Sequence, residues 1–265
     1  MMDREEIKRL AADPRFITGI YNYCDRWCER CPFTSRCMNF TMTEKQFSDP
    51  ESRDIQNKAF WNKLGEVFQT TLEMVKEMAA EQGIDLDAID MEEEEKREQR
   101  EQELAESHEC SLAANSYTGM VDEWFESATN LFQVKEDELN LELQAGIPEI
   151  DPSEEAEELH EIVDIIRWYQ YQIYVKIVRA VKGTLEDELE ILEGLPKDSD
   201  GSAKVALIGV DRSIGAWGRM LTHFPDREDE TLDILVHLER LRRSLERDFP
   251  EARDFVRPGF DQPPQ

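Results

Sequence analysis

Four cysteines lie within fourteen residues near the start of the chain: Cys24, Cys28, Cys31 and Cys37. Three, two and five residues separate them in turn, and the 265-residue chain has one further cysteine, Cys110. Thiolates are ligands that zinc ions and iron–sulfur clusters both accept, and such dense clustering is typical of a metal site. The spacing therefore predicts that these four residues bind a metal ion or a metal–sulfur cluster.

Two inorganic centres compete for this loop. A zinc ion is usually held by two short pairs of ligands with a longer loop between them, so here a single segment would have to wrap the ion from all sides. A [4Fe-4S] cluster is larger, and successive cysteines on one winding loop can each reach a different iron. We favour the [4Fe-4S] cluster, with Zn²⁺ as the alternative. A disulfide switch is disfavoured because a reducing compartment is expected.

The residues between the cysteines suit a negatively charged centre. Arg26, Arg30 and Arg36 would offset the charge of thiolate ligands, for a cluster and for zinc alike. Trp27 and Phe33 could cover the site from water or dock the loop onto the helices. A cluster held by four cysteines has no open iron, so electron transfer or oxidant sensing fits better than substrate binding. No catalytic residue is predicted.

The run Cys-Glu-Arg-Cys-Pro-Phe-Thr-Ser-Arg-Cys, residues 28–37, resembles the end of the iron–sulfur loop in DNA glycosylases of the endonuclease-three class. The resemblance implies that the three cysteines of this run each hold an iron. It also implies that Pro32 stiffens the turn and that Phe33 shields the cluster. It covers ten residues and implies cluster binding only, with no activity on DNA.

Two further resemblances bear on the same loop. The spacing from Cys24 through Cys28 to Cys31 is similar to that of radical S-adenosylmethionine enzymes, although Cys37 would close their open iron and their alternating strands and helices are missing. The whole chain resembles bacterial helical proteins of unassigned activity that carry an N-terminal four-cysteine loop. Neither resemblance implies a substrate.

Two other positions are candidates for chemistry. Glu157 and His160 have the three-residue offset of di-iron bundle proteins, but two copies are needed and the chain has one. An enzyme with a di-iron or radical site is therefore the second alternative, after a zinc-stabilised interaction scaffold. Asp211 lies inside an apolar segment, which predicts a buried ion pair with Arg167 or Arg179.

Charge limits the choice of partners. The net charge is -29, yet residues 1–45 carry +1, so the remaining 220 residues carry -30. An acidic body repels phosphate backbones and anionic lipid, which disfavours nucleic acid and membranes and favours a basic protein or redox partner. The charged N-terminus does not resemble a signal peptide and no apolar run approaches about 18 residues. We therefore expect a cytoplasmic protein.

Apolar residues recur at three- and four-residue steps in five long segments, without the alternation of a strand. The pattern predicts an all-α bundle of about five main helices, at 48–81, 112–131, 153–181, 203–221 and 228–247. A short helix is predicted at 5–12, a solvated helix or linker at 91–110, and a turn at 198–202. The segment 162–181 is apolar on nearly every side, which predicts the central helix of the bundle.

The predicted domains follow from these elements. Residues 1–47 form a small metal module with the four cysteines, residues 48–250 an acidic helical bundle, and residues 251–265 a C-terminal tail. Pro258, Pro263 and Pro264 predict that the tail is frayed. A break between helices is predicted at residues 146–148, which hold a glycine and a proline.

Overall fold

The computed structural model describes residues 4–88, 90–145, 151–187 and 197–261. These residues contain helices and no strand, which confirms the predicted all-α class. The α-helices are α1 (Arg4–Ala11), α2 (Met38–Gln46), α3 (Pro50–Arg53), α4 (Lys58–Gln82), α5 (Met91–Ser107), α6 (Glu109–Ala145), α7 (Pro152–Asp187), α8 (Asp198–His223) and α9 (Glu228–Asp248). The predicted break at 146–148 and two of the tail prolines, at 263 and 264, lie outside the described residues.

The predicted helix at 48–81 is interrupted, and side-chain caps explain where. The Asp49 carboxylate accepts the Ser52 amide at 2.9 Å and starts α3, which ends at the extended residue Asp54. The Asn57 side chain accepts the Ala59 amide at 2.9 Å and starts α4. Helix α4 ends at Gly83, whose φ of 73° is readily adopted by glycine alone. The predicted helix is therefore divided in two, because two N-capping residues eight positions apart each start a separate helix.

The predicted turn at 198–202 is wrong, because these residues form the first turn of α8. Asp198 and Asp200 lie in that turn, where the partial positive charge of the helix N-terminus favours carboxylates. Arg179 on α7 donates to Asp198 at 2.7 Å, which ties the start of α8 to its neighbour. The acidic segment that begins at Met91 forms helix α5, with its glutamate run exposed to solvent.

The chain forms two compact units, one of residues 1–99 with 256–265 and the other of residues 100–255. The division differs from the predicted boundaries at two points. Helix α4 lies in the unit of the cysteines, although the predicted boundary at residue 47 placed it in the bundle. Residues 256–261 also belong to the cysteine unit.

In the unit of residues 100–255, helices α6 to α9 form a bundle in which α7 packs against α6 and α8. Ile162, Ile166 and Ile177 on α7 are completely buried, as the predicted central position requires. However, Tyr171 and Val175 are more than half exposed, so α7 is not surrounded on all sides. The Trp217 indole N–H donates to the Tyr117 hydroxyl at 3.1 Å and satisfies a polar atom within this core.

The C-terminal tail is folded, so the prediction that it frays is wrong for the described residues 251–261. Ala252 and Phe255 are buried in the bundle unit, and the Lys204 ammonium donates to the Phe255 carbonyl at 2.5 Å. Within the described residues, no helix combines the length and the apolar character needed to cross a membrane.

Candidate metal centre

All four predicted ligands line one small cavity in the first unit. The cavity has a volume of about 20 Å³, which is room for about one water molecule. Besides Cys24, Cys28, Cys31 and Cys37, the lining includes apolar and aromatic side chains that restrict contact with solvent. These are Ile20, Tyr21, Trp27, Phe40 and Phe260. The loop therefore brings together the thiols that its spacing singled out.

The sulfur atoms share the cavity without closing on one point. Among the described residues, no three of the four Sγ atoms lie within 4.8 Å of one another. In a tetrahedral zinc site with Zn–S bonds of about 2.3 Å, every pair of sulfurs would be about 3.8 Å apart. The sulfur arrangement is thus more open than that of a zinc tetrathiolate.

A strained turn positions the first two cysteines. Arg26 has a φ of 61°, in the left-handed region that residues with a side chain rarely occupy. Trp27 follows with φ -81° and ψ 73°, and the Cys28 amide donates to the Arg26 carbonyl at 2.9 Å, which makes an inverse γ-turn. The Asp25 carboxylate accepts the Trp27 amide at 3.2 Å and holds this conformation. Strain of this kind is concentrated at functional sites, and here it aims both thiols into the cavity.

Two single-turn 3-10 helices position the other ligands. One spans Cys28–Arg30 and the other Thr34–Arg36. Each is closed by the amide of the next cysteine, from Cys31 to the Cys28 carbonyl and from Cys37 to the Thr34 carbonyl, both at 3.2 Å. Each of these two turns brings the backbone back to the cavity, so that the cysteine that follows it lines the cavity.

Backbone amides donate to two of the sulfurs. The Sγ atom of Cys37 accepts the Phe40 amide at 3.5 Å and caps helix α2. The Phe33 amide donates to Cys31. The Cys24 thiol itself donates to the Tyr21 carbonyl at 3.6 Å. The amide hydrogen bonds to Cys31 and Cys37 would orient these two ligands, and at iron–sulfur clusters amide donors to sulfur influence the reduction potential.

The local electrostatics oppose four free thiolates. Burial raises the pKa of the Cys28 thiol, and the charges of Cys24, Cys31 and Cys37 raise it further. Burial also raises the pKa of Cys31, against the lowering effect of the Phe33 amide. The causes are desolvation first and mutual repulsion second, and a cationic centre would offset both by favouring the thiolates.

The residues between the cysteines lie at different places around the cavity, and Trp27 lines it as the covering role predicts. Arg26 lines the cavity, whereas the Arg30 guanidinium lies over the Trp27 ring, 4.1 Å from its centroid. Phe33 is not among the lining residues and packs edge-on against Phe260 at 5.1 Å between ring centroids. Phe260 is the cavity residue that the sequence did not reveal, because it lies more than 220 positions beyond the cysteines.

A second cluster of metal-ligand types lies in the other unit. His108, Cys110 and Asp248 bring their side-chain donor atoms within 4.8 Å of one another. The Cys110 thiol donates to Asp248 at 3.3 Å, and the Arg247 guanidinium donates to the same carboxylate at 2.8 Å. The Cys110 amide donates to His108 Nδ1 at 3.2 Å, which assigns the proton of the neutral ring to Nε2, the nitrogen that faces Asp248.

This second cluster is a hydrogen-bonded network. A metal ion would need the ring nitrogen that holds the proton and the carboxylate that Arg247 already pairs. Burial raises the pKa of Cys110 to about 12, and its side chain is completely buried. Cys110 therefore has a structural role within this hydrogen-bonded network.

The di-iron spacing on α7 does not point into the bundle. The His160 side chain is 80% exposed and lies 3.7 Å from Asp164, and Glu157 is exposed as well. In di-iron bundles the corresponding ligands project into the core. The pair therefore lacks the enclosure that such a site requires.

The predicted partners of Asp211 are wrong. Arg167 pairs with Asp122 at 2.8 Å and Arg179 pairs with Asp198. Asp211 is half-buried and accepts from Arg253 at 2.6 Å, and a second arginine, Arg242 on α9, lies 3.6 Å away. A residue beyond α9 supplies the charge, which periodicity within one helix could not indicate.

We compared the chain with protein-family models, with curated proteins and with solved structures, and found no match in any of the three. The functional interpretation therefore depends on the chemistry of the cysteine site and on the contrast between the two units.

Proposed function

We propose that Cys24, Cys28, Cys31 and Cys37 bind a [4Fe-4S] cluster and that the protein transfers electrons or senses oxidants. One observation carries this proposal. The four sulfurs line a single cavity, but among the described residues no three of these sulfurs lie within 4.8 Å of one another. A cubane needs its ligands spread over four separate irons, whereas a zinc ion needs them gathered around one point.

The small apolar core of the first unit supports an inorganic centre. Among the described apolar residues of this unit, only Leu10, Ile20 and Ala79 are buried. Small modules that cannot build a sufficient core depend on metals or disulfides, and all five cysteines are free thiols here. Metal binding would add folding free energy to these few contacts.

The donor set defines the chemistry. Four cysteine ligands leave no iron open for a substrate, which is why electron transfer and sensing are preferred to catalysis. When bound, such a cluster supplies one-electron chemistry, exchanging an electron with a redox protein or losing one to an oxidant such as dioxygen. The Phe33 and Phe40 amides would tune the potential by donating to Cys31 and Cys37.

The acidic body suits a basic redox partner. Outside residues 1–45 the chain carries a charge of -30, and such a surface steers oppositely charged proteins toward it. We also propose a cytoplasmic location, where reduced thiols are the normal state. Nucleic acid is disfavoured by the same charge.

Structural zinc is the second candidate, and the cavity volume favours it. A space of about 20 Å³ admits a single ion without rearrangement, whereas a cubane would require the loop to widen. In this alternative the ion clamps the N-terminal loop and the helices form an interaction scaffold. The sulfur spacing is the stronger criterion, because zinc would have to draw the sulfurs together against the strained turn at Arg26.

Anaerobic purification and a redox cycle test the proposal. We expect brown protein whose broad visible absorbance fades with dithionite and returns on mild oxidation. Cys31→Ser should abolish the colour, and Cys110→Ser, its matched control outside the site, should retain it. Colourless protein with about one zinc ion per chain would replace the cluster with the structural alternative. Iron that survives replacement of all four cysteines would instead support a separate iron site.

A further inference from the structure

The C-terminal residues 256–261 return to the cysteine site and belong to the same compact unit. We propose that this segment, the C-terminal strap, is a wall of the metal site that limits the access of solvent, oxidants and chelators to the thiols. This inference takes the bound metal from the proposed function, but the contacts that support it are those between the strap and the cysteine loop alone. The strap residues have a positioning and shielding role and would not be ligands.

Phe260 is the side chain that closes the cavity. It lines the cavity together with all four cysteines, and its ring packs edge-on against Phe33 at 5.1 Å. An aromatic pair in this geometry adds stability beyond the area that it buries. Through this contact the strap bridges the two ends of the chain at the thiols.

Gly259 allows the close approach of the strap. Its φ of 79° lies in the left-handed region, and a Cβ built on it would be 2.9 Å from Cδ1 of Ile17 and 3.0 Å from Cδ1 of Ile20. Ile20 is 2% exposed and lines the cavity, so its side chain has little room to move away. A side chain at position 259 would therefore be strained at this φ, and it would have to displace either the ends of the Ile17 and Ile20 side chains or the strap itself.

A local clamp fixes the turn that presents Phe260. The Arg257 guanidinium donates to Asp261 at 2.9 Å, and the Arg257 amide donates to the same carboxylate at 3.0 Å. The two side chains are only 16% and 23% exposed. The guanidinium also lies over the Phe260 ring, 4.9 Å from its centroid. The ring is thus contacted by both Arg257 and Phe33.

The first test measures thiol access in the metal-free full chain, with the thiol reagent DTNB as the probe. Gly259→Ala should increase the reaction rate of the loop thiols by roughly two- to tenfold, the population change expected when one aromatic contact is lost. Gly83→Ala is the matched control, because Gly83 has a φ of 73° with open space around its Cβ position. The control imposes the same backbone strain without the clash and should leave the rate unchanged.

The second test measures retention of the metal. Phe260→Ala, loaded with iron and sulfide anaerobically, should release iron to a ferrous chelator in air faster than the parent chain by a similar factor. Phe68→Ala, an exposed phenylalanine of α4, is the control and should match the parent.

The outcomes separate this inference from the proposed function. Faster thiol reaction in a chain that binds no metal would support the strap and overturn the metal proposal. A loaded chain whose iron loss is unchanged by Phe260→Ala and Gly259→Ala would overturn the strap and leave the metal proposal intact. The strap proposal would also be overturned if the loop thiols of the parent chain reacted as fast as free cysteine.

Discussion

The two compact units are built on different physical principles. In residues 100–255, completely buried aromatic and aliphatic side chains such as Trp217, Ile173 and Leu238 come from four helices that pack side by side. In the other unit, the described part of α4 contributes only Ala79 to the buried set, while Trp61 and Phe68 on the same helix are more than half exposed. One unit is stabilised by hydrophobic burial, whereas the other has polar turns converging on four thiols.

The contrast shows that a sequence can specify structure in two ways, through many apolar residues spread along a bundle or through four ligand residues in one short loop. Burial of apolar surface contributes free energy from each of many residues, so the stability of the bundle is distributed over many contacts. A metal site concentrates its free energy in a few ligands. We therefore expect substitutions in the two units to change different quantities, the metal content in one and the free energy of unfolding in the other, and to differ in size as well.

The largest effect is expected at the cysteines. Cys28→Ser should eliminate the metal and make the first unit more susceptible to proteolysis, since the metal would add folding free energy to the few buried side chains of this unit. The helical circular dichroism from the bundle should persist. Metal analysis and limited proteolysis measure the two effects, and a metal-free variant as protease-resistant as the parent would contradict the contrast between the units.

A core truncation in the bundle should have the converse effect. Leu238 is completely buried, so Leu238→Ala should lower the free energy of unfolding of this unit by about 2–5 kcal/mol. Metal content should be unchanged. Urea unfolding followed by circular dichroism measures the loss, with Leu232→Ala on the same helix, at 40% exposure, as the milder control. Loss of metal along with stability would show that the units are not independent.

The smallest effect is expected at an ion pair on the bundle surface. Lys135, 2.6 Å from Glu155, and then His223 hold the pKa of Glu155 below its ordinary value of 4.5. Because the folded pKa is lowered, the pair stabilises the fold above pH 4.5, and this contribution is lost as the pH falls through the lowered value. With both groups partly exposed, it is about 1 kcal/mol or less.

Glu155→Gln should therefore be less stable than the parent at neutral pH and equally stable once the pH is below the lowered pKa. Urea unfolding over this range measures the convergence. Glu154→Gln, an exposed neighbour, is the control. A constant difference at every pH would show that Glu155 does not stabilise the bundle through its charge.

The elements that the sequence predicted best are those that depend on local periodicity. The apolar steps placed α9 to within one residue at each end, and they placed α7 to within one residue at its start and six at its end. Errors arose where one local signal competed with another, as at the caps Asp49 and Asn57, or where turn-like residues such as Ser199 and Gly201 formed the first turn of α8. The spacing of apolar residues alone does not show which of two such local signals determines where a helix begins.

The site was predictable only in its ligands. Cysteine type and spacing singled out the four thiols, but Phe260 reaches the cavity through a contact between the two ends of the chain. The same limit applies to Asp211, whose partner Arg253 lies beyond α9. Contacts between distant segments depend on how elements pack, and a single sequence does not encode them in any short pattern.

Metal and sulfide analysis of the full chain, purified without oxygen, tests the central claim most directly. The cluster account predicts about four irons and four acid-labile sulfides per chain, with both absent when Cys24, Cys28, Cys31 and Cys37 are all replaced by serine. About one zinc per chain without sulfide, or iron and sulfide unaffected by the four replacements, would contradict it.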